Sequence, residues 1–166
     1  VVAIKDDISG VFACKMTSMV HDKLAVFSGG TKQSHLNIVH YGAVGFMSSF
    51  VTFNPEVTND YWGAIGRADW EGAAKVVSDH DWPFMEYICK LPGGFDSGIH
   101  GVLELYGIAQ RWRRKPYRSM TDAEMEQLQD FFKIAVELSS KNDNFSRSLG
   151  ALNYIASRRD KVILIS

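Results

Sequence analysis

Cysteine is scarce in this sequence, and the way it is used excludes several classes of site. Cys14 and Cys89 are its only two cysteines, and they lie too far apart to form a metal-type pair. We expect both to be ordinary buried thiols of a protein kept in a reducing, cytoplasmic setting. The histidines are scattered without metal-ligand spacing. No metal and no cofactor is therefore expected.

An excess of one charge sign and long apolar runs are also missing. Lysine and arginine number 18 against 19 acidic residues, so no general basic field exists to hold nucleic acid. The basic and aromatic run at 111–115 is short, and we interpret it as an exposed loop or helix end and a candidate oligomer contact. Because the charges balance, a small neutral or anionic molecule is a better candidate ligand than a polymer. No segment has the length and hydropathy of a membrane span or signal peptide.

What is present favours an α/β fold. Short apolar runs at 1–5, 24–28 and 43–48 each precede a turn and a helical pattern. Apolar strands separated by helices predict parallel βα units with both sheet faces covered. Three such strands cannot cover their own faces and edges, so we expect further strands upstream or a partner chain. The chain also begins inside a strand pattern without methionine, which we interpret as a truncated start.

The pattern becomes helical after residue 68. One helix is predicted over 69–90 with a bend at Pro83, and another over 95–106 that stops at Gly107. A capping box at 121–124 opens a third helix that runs to about residue 138. The predicted domains are the βα units at 1–68, a helical segment at 69–140 and a tail at 141–166 of unknown role. Within the tail, residues 161–165 have the pattern of a strand.

Lys5 ends the first apolar run and is the leading candidate for catalysis. Burial opposes the charge of a lysine at the end of a buried strand, and one reason to accept that cost is a reactive amine. A neutral amine attacks a ketone and forms a protonated imine, which withdraws electrons from the neighbouring carbon. Spacing alone favours the alternative, in which the ammonium group reaches solvent and has no catalytic role.

Small and polar residues follow the second and third runs. Glycines after the second run make a tight turn, or else let backbone N–H groups approach a carboxylate or hydroxyl at a helix start. Phosphate is a competing ligand, although a complete phosphate-binding loop is absent. At the exit of the third run, Ser48 or Ser49 is expected to face the mouth of the site. The candidate substrate-binding residues are Gly29, Gly30, Thr31, Gln33 and Ser48.

Taken in order, 4–6, 27–30 and 42–48 followed by Pro55-Glu56 resemble the C-terminal half of the dihydrodipicolinate synthase and N-acetylneuraminate lyase family. The stretch 101–108 is similar to that family's terminal helical segment. The resemblance covers about residues 1–138. It implies the last three βα units of a (β/α)8 TIM barrel plus a C-terminal helical extension, in a homo-oligomer (a dimer or tetramer). It also implies that Lys5 is the Schiff-base lysine.

Within the family, the runs at 29–33, 91–95 and 112–114 look most like those of 2-keto-3-deoxy sugar acid dehydratases of the L-arabonate type. The implied reaction is water loss through an imine between Lys5 and a small 2-keto acid. One alternative is an aldolase or synthase of the same family, and the other is a non-catalytic fragment or assembly module. The family's proton-relay tyrosine belongs to earlier strands, and Thr52 stands where many members have asparagine. The chain is therefore expected to carry the nucleophile without a complete site.

Overall fold

The computed structural model describes residues 1–140, with side chains described as far as residue 134. Its contacts divide the chain into two compact units, Val1–Met85 and a second that begins at Glu86. The sequence-based division after residue 68 follows a change of pattern rather than of contacts, and it stays a prediction. The predicted tail, including its strand at 161–165, lies outside the described residues.

The first unit begins with three alternating strands and helices. The sheet has the order β1-β2-β3 and both pairs are parallel, which confirms the predicted arrangement. Lys5 lies opposite Phe27, and Ser28 lies opposite Phe46. The elements are β1 (Ala3–Asp6), α1 (Gly10–Val20), β2 (Ala25–Ser28), α2 (Lys32–Ile38), a 3-10 turn (Val39–Tyr41) and β3 (Gly45–Phe46).

The first strand is exposed, unlike the buried strand that its apolar run predicts. Of its four residues only Asp6 is buried, and Lys5 retains 42% of its side-chain exposure. The reason is that β1 lies at the edge of the described sheet and pairs only with β2. The central strand is better covered, since Val26 packs with Ala13 and Ile38 from the flanking helices.

Four further helices complete this part of the chain, and a π-helical turn interrupts them. They are α3 (Phe50–Phe53), α4 (Pro55–Gly66), α5 (Trp70–Val76), the π-turn (Val77–Asp81) and α6 (Trp82–Ile88). The predicted bend at Pro83 is thus a widened turn immediately before it, where a residue without an N–H interrupts the regular ladder. Asn54 precedes α4 as predicted, but its side chain makes no capping hydrogen bond.

A polar group at the centre of the first unit joins α2 to α4. The Tyr61 hydroxyl donates to the carbonyl of Lys32 at 3.1 Å and lies 2.8 Å from His35 Nδ1. Because the hydroxyl has only one proton to give, the N–H at Nδ1 of His35 donates to it. Both side chains are fully buried, and burial lowers the pKa of His35 to about 4. His35 is therefore neutral in the folded protein at neutral pH.

The strongest polar contact of the first unit is a buried ion pair between Lys32 and Asp81. Asp81 Oδ1 lies 2.7 Å from Lys32 Nζ, and Asp81 Oδ2 accepts the backbone N–H of Lys32, also at 2.7 Å. The two side chains are 0% and 3% exposed. One carboxylate thus satisfies both an ammonium group and an N–H at the start of α2 that has no partner within the helix. The pair ties the start of α2 to the π-turn.

The second unit contains α7 (Gly94–Leu105) and α8 (Asp122–Ser140). Gly107 has a φ of +66°, which confirms the predicted left-handed residue after α7. The capping box is also confirmed, since the Glu124 N–H donates to Thr121 Oγ1 and the Thr121 N–H donates to Glu124 Oε2. Arg118 adds two hydrogen bonds to the Glu124 carboxylate, at 2.6 and 2.9 Å.

Two expectations about exposure are wrong. Cys89 is exposed and Cys14 is only half-buried, although both are free thiols. Arg111 is buried within the basic run that we expected at the surface, because its guanidinium pairs with Glu104 and Asp122. A neighbour in the same run, Trp112, is exposed as expected.

Replacing Lys32 with methionine is expected to lower the free energy of unfolding by about 3–5 kcal/mol, because Asp81 would be left buried and charged without its partner. The double variant Lys32→Met/Asp81→Asn should recover part of that loss, since a neutral amide still accepts the backbone N–H. Urea unfolding measures both. Lys75→Met, which breaks an exposed pair with Asp79, is the control and should cost about 1 kcal/mol or less. Equal losses at the two lysines would contradict this interpretation.

The capping box should make stability depend on acid. Arg118 and the Thr121 N–H lower the pKa of Glu124 from 4.5 to about 2. The stabilisation is therefore complete above about pH 4.5 and disappears as the pH falls towards 2. Glu124→Gln should lower the melting temperature at neutral pH and weaken its fall in acid. The exposed Glu126→Gln on the same helix is the control, and an unchanged acid profile in Glu124→Gln would refute the assignment.

Candidate active site

Lys5 presents an accessible amine near the end of β1. Its Nζ lies 2.7 Å from Asp7 Oδ2, and the two side chains are 42% and 60% exposed. An accessible amine suits attack on a carbonyl carbon. An ion-paired surface lysine has the same geometry, so the assignment depends on what surrounds the pair.

Gly29, the residue directly after β2, lies against this ion pair. A Cβ at Gly29 would lie 2.0 Å from Asp7 Oδ1 and 2.6 Å from Lys5 Cε, distances that real side chains do not tolerate. Its N–H donates to the carbonyl of Asp6 at 2.7 Å. This N–H is therefore not available to a substrate, contrary to one of the two interpretations of the glycines from sequence. Gly29 instead provides space at the amine.

The other candidates after β2 have partners at the start of α2. Thr31 caps that helix, because its hydroxyl accepts the N–H of Ser34. The amide of Gln33 donates to Asn37 Oδ1 at 2.8 Å. A Cβ at Gly30 would lie 2.9 Å from Ser34 Oγ. These contacts account for the residue types without a ligand, and their predicted role in substrate binding stays a prediction.

Ser48 lies just after β3, where it meets the buried ion pair. Its half-buried Oγ is 3.5 Å from Lys32 Nζ and 3.3 Å from Thr58 Oγ1. Burial lowers the pKa of Lys32, and the nearby Asp81 carboxylate opposes that change. The Lys32 ammonium also lies 4.2 Å from the centre of the Phe50 ring. The exits of β2 and β3 are thus joined through one buried cation.

Sequence reasoning missed most of this second group. Lys32 appeared only as part of a helix start that favours anions, and Asp81 stands 49 residues further along the chain. The one local signal was the apolar helical spacing of 69–90, within which a buried aspartate is out of place. Thr58 lies on the polar part of α4 and had no signal of its own.

Across residues 1–134, where side chains are described, no group of three or more histidine, cysteine or acidic residues is placed to hold a metal ion. None of the helices in that part of the chain is long and apolar enough to cross a membrane.

Known structures share this fold. Dihydrodipicolinate synthase from Oceanobacillus iheyensis superposes with a TM-score of 0.65 at 22% identity, over 80% of this chain and 45% of that one. N-acetylneuraminate lyase from Mycoplasma synoviae gives 0.66 at 19% identity, over 81% and 46%. A prophage protein of the dihydrodipicolinic acid synthase family from E. coli K12, in complex with pyruvate, gives 0.66 at 21% identity, over 81% and 46%.

These matches define how much of the fold is present. The chain spans less than half the length of each of these three structures. Together with the parallel strand order, they confirm part of a (β/α)8 barrel followed by helices.

No curated protein sequence matches the chain. Residues 1–135 match the family described as the Dihydrodipicolinate synthetase family. The chain therefore belongs to that family.

Proposed function

We propose that this chain carries the imine-forming lysine of a Schiff-base lyase that acts on a 2-keto acid. The observation that supports it most is the accessible Lys5 amine, packed beside Gly29, where a side chain would collide with it. Family membership supports the same chemistry. The E. coli K12 neighbour holds pyruvate, which is a 2-keto acid.

The reaction follows from amine chemistry. The neutral Lys5 nitrogen attacks the C2 carbonyl carbon, and loss of water gives a protonated imine. This group withdraws electrons, so a C3 proton leaves and an enamine forms. In a dehydratase the enamine expels the C4 hydroxyl, and hydrolysis then releases a dehydrated keto acid and the free amine. In an aldolase the C3–C4 bond breaks instead, so Lys5 by itself serves either outcome.

The finer proposal is a hydro-lyase for a 2-keto-3-deoxy sugar acid of the L-arabonate type. Its support is the likeness of the runs at 29–33, 91–95 and 112–114 to those of such dehydratases. An aldolase or synthase is the second candidate, favoured by the names of the O. iheyensis and M. synoviae structures. The exposed edge of β1 favours a third, a module that pairs with another chain. A homo-oligomer and a cytoplasmic setting stay predictions.

Ser48 is the proposed substrate contact after β3. A serine hydroxyl has one proton to donate and can accept two. Lys32 Nζ donates to Ser48 Oγ, and the Thr58 hydroxyl, 3.3 Å away, can donate to it as well, which leaves the serine proton for an oxygen of the substrate. A carboxylate or a hydroxyl of a keto sugar acid supplies such an oxygen.

The central test is covalent trapping at Lys5. The full native polypeptide, treated with borohydride and pyruvate or a 2-keto-3-deoxy acid, should gain one reduced adduct that maps to Lys5. Lys5→Ala should lose both the adduct and turnover, because no other amine takes its place. Lys15→Ala, at an exposed lysine of α1, is the control. An adduct that persists in Lys5→Ala would reject the assignment. Water loss or pyruvate release, read from the products, separates dehydratase from aldolase.

A second test concerns Ser48. Ser48→Ala should raise KM by about two- to twelvefold, since one hydrogen bond to the substrate is worth about 0.5–1.5 kcal/mol. Trapping at Lys5 should survive. Steady-state kinetics at fixed pH measure the change, and Ser49→Ala at the neighbouring position is the matched control. A KM that is the same in both variants and the wild type would remove Ser48 from the substrate contacts.

A further inference from the structure

The acidic group next to the Lys5 amine is Asp7, and its carboxylate has a defined place. Asp7 Oδ2 lies 2.7 Å from Lys5 Nζ. The other oxygen, Oδ1, lies 2.0 Å from the point where a Cβ at Gly29 would stand. The Asp7 carboxylate therefore occupies the space that Gly29 leaves open. One of its oxygens contacts the Lys5 amine, and the other lies against Gly29 after β2.

Strand geometry gives the two consecutive aspartates different roles. Side chains alternate between the two faces of a strand, so Asp6 at the end of β1 turns away from Lys5, while Asp7, directly after β1, pairs with it. Asp6 is buried, and its Oδ1 accepts the N–H of Ile8 at 3.1 Å. Its carbonyl accepts the N–H of Gly29. These bonds hold the backbone at Asp6 and keep Asp7 directed towards the amine.

An ion pair this exposed contributes little to stability. Its position at a reacting nitrogen is more informative. Imine formation moves protons from the amine to the ketone oxygen, which must leave as water. A carboxylate within hydrogen-bond distance of the nitrogen is placed to carry them. The same negative charge also stabilises the positive imine nitrogen once it has formed.

We propose that Asp7 is a further catalytic residue, the acid–base partner of the Lys5 nitrogen during imine formation. This role rests on the proposed Schiff-base function. The carboxylate takes one proton from the ammonium group, the amine attacks C2, and that proton passes to the ketone oxygen. A second proton then moves from nitrogen through Asp7 to the C2 hydroxyl, the C–O bond breaks, and water leaves as the C=N bond forms. The nitrogen keeps one proton, the carboxylate is regenerated, and no electrons are exchanged with another reagent.

The test measures the rate of imine formation by borohydride trapping with pyruvate in the full native polypeptide. Asp7→Ala should slow trapping at Lys5 by about a hundredfold, the lower end of general acid–base effects. The melting temperature should not change, because the pair is exposed. Added acetate should restore the rate in proportion to its concentration, which a structural role would not produce. Asp22→Asn, at another exposed aspartate, is the control and should trap at the wild-type rate.

A second variant tests the geometry without removing either side chain. Gly29→Ala should slow trapping as well, because the added methyl group displaces Asp7 or Lys5. Wild-type trapping rates in Asp7→Ala, or a slow rate that acetate does not restore, would overturn the role of Asp7. If the wild type itself forms no adduct at Lys5, the proposed function fails. An adduct in the wild type with an unaffected Asp7→Ala rejects only the role of Asp7.

Discussion

The carboxylate of Asp81 makes the contact on which the first unit depends most. It holds both the ammonium and the backbone N–H of Lys32, with almost no exposure of either side chain. A charge in such a place is tolerated only when its partner and its remaining hydrogen bonds are present. Because Lys32 begins α2 directly after the β2 turn, the pair sets where that turn lies. Gly29 lies in that turn. The Lys32 ammonium also donates a hydrogen bond to Ser48, which follows β3.

Lys5, near the end of β1, and Lys32, at the start of α2, place the same side chain in opposite surroundings. A buried lysine is expected from sequence at Lys5, yet the buried one is Lys32, whose pKa burial lowers. Lys5 remains half accessible because β1 pairs only with β2 in the described sheet. Accessibility suits a nucleophile that must meet a dissolved keto acid, whereas a buried and paired ammonium suits a structural support. Resemblance to the family, rather than desolvation, supports the proposal that Lys5 is the nucleophile.

Gly29 links the architecture to the proposed chemistry. Because Gly29 has no side chain, the charged pair of Lys5 and Asp7 after β1 can lie directly beside the residue that follows β2. Parallel strands bring their carboxyl ends to one edge, which is where barrel enzymes assemble their sites. The chain spans less than half the length of the structures it matches. To such a site we propose that it contributes the Lys5 amine, the neighbouring Asp7 carboxylate and Ser48 after β3.

Sequence alone determined the features that depend on residues close together in the chain. Parallel βα units, the capping box of Thr121 and Glu124 and the left-handed Gly107 were predictable, because each depends on local periodicity or a short pattern. The Lys32–Asp81 pair was not, because it is a contact across 49 residues. The position of the Asp7 carboxylate against Gly29 was not predictable either, because it depends on how the residues after β1 and β2 pack together.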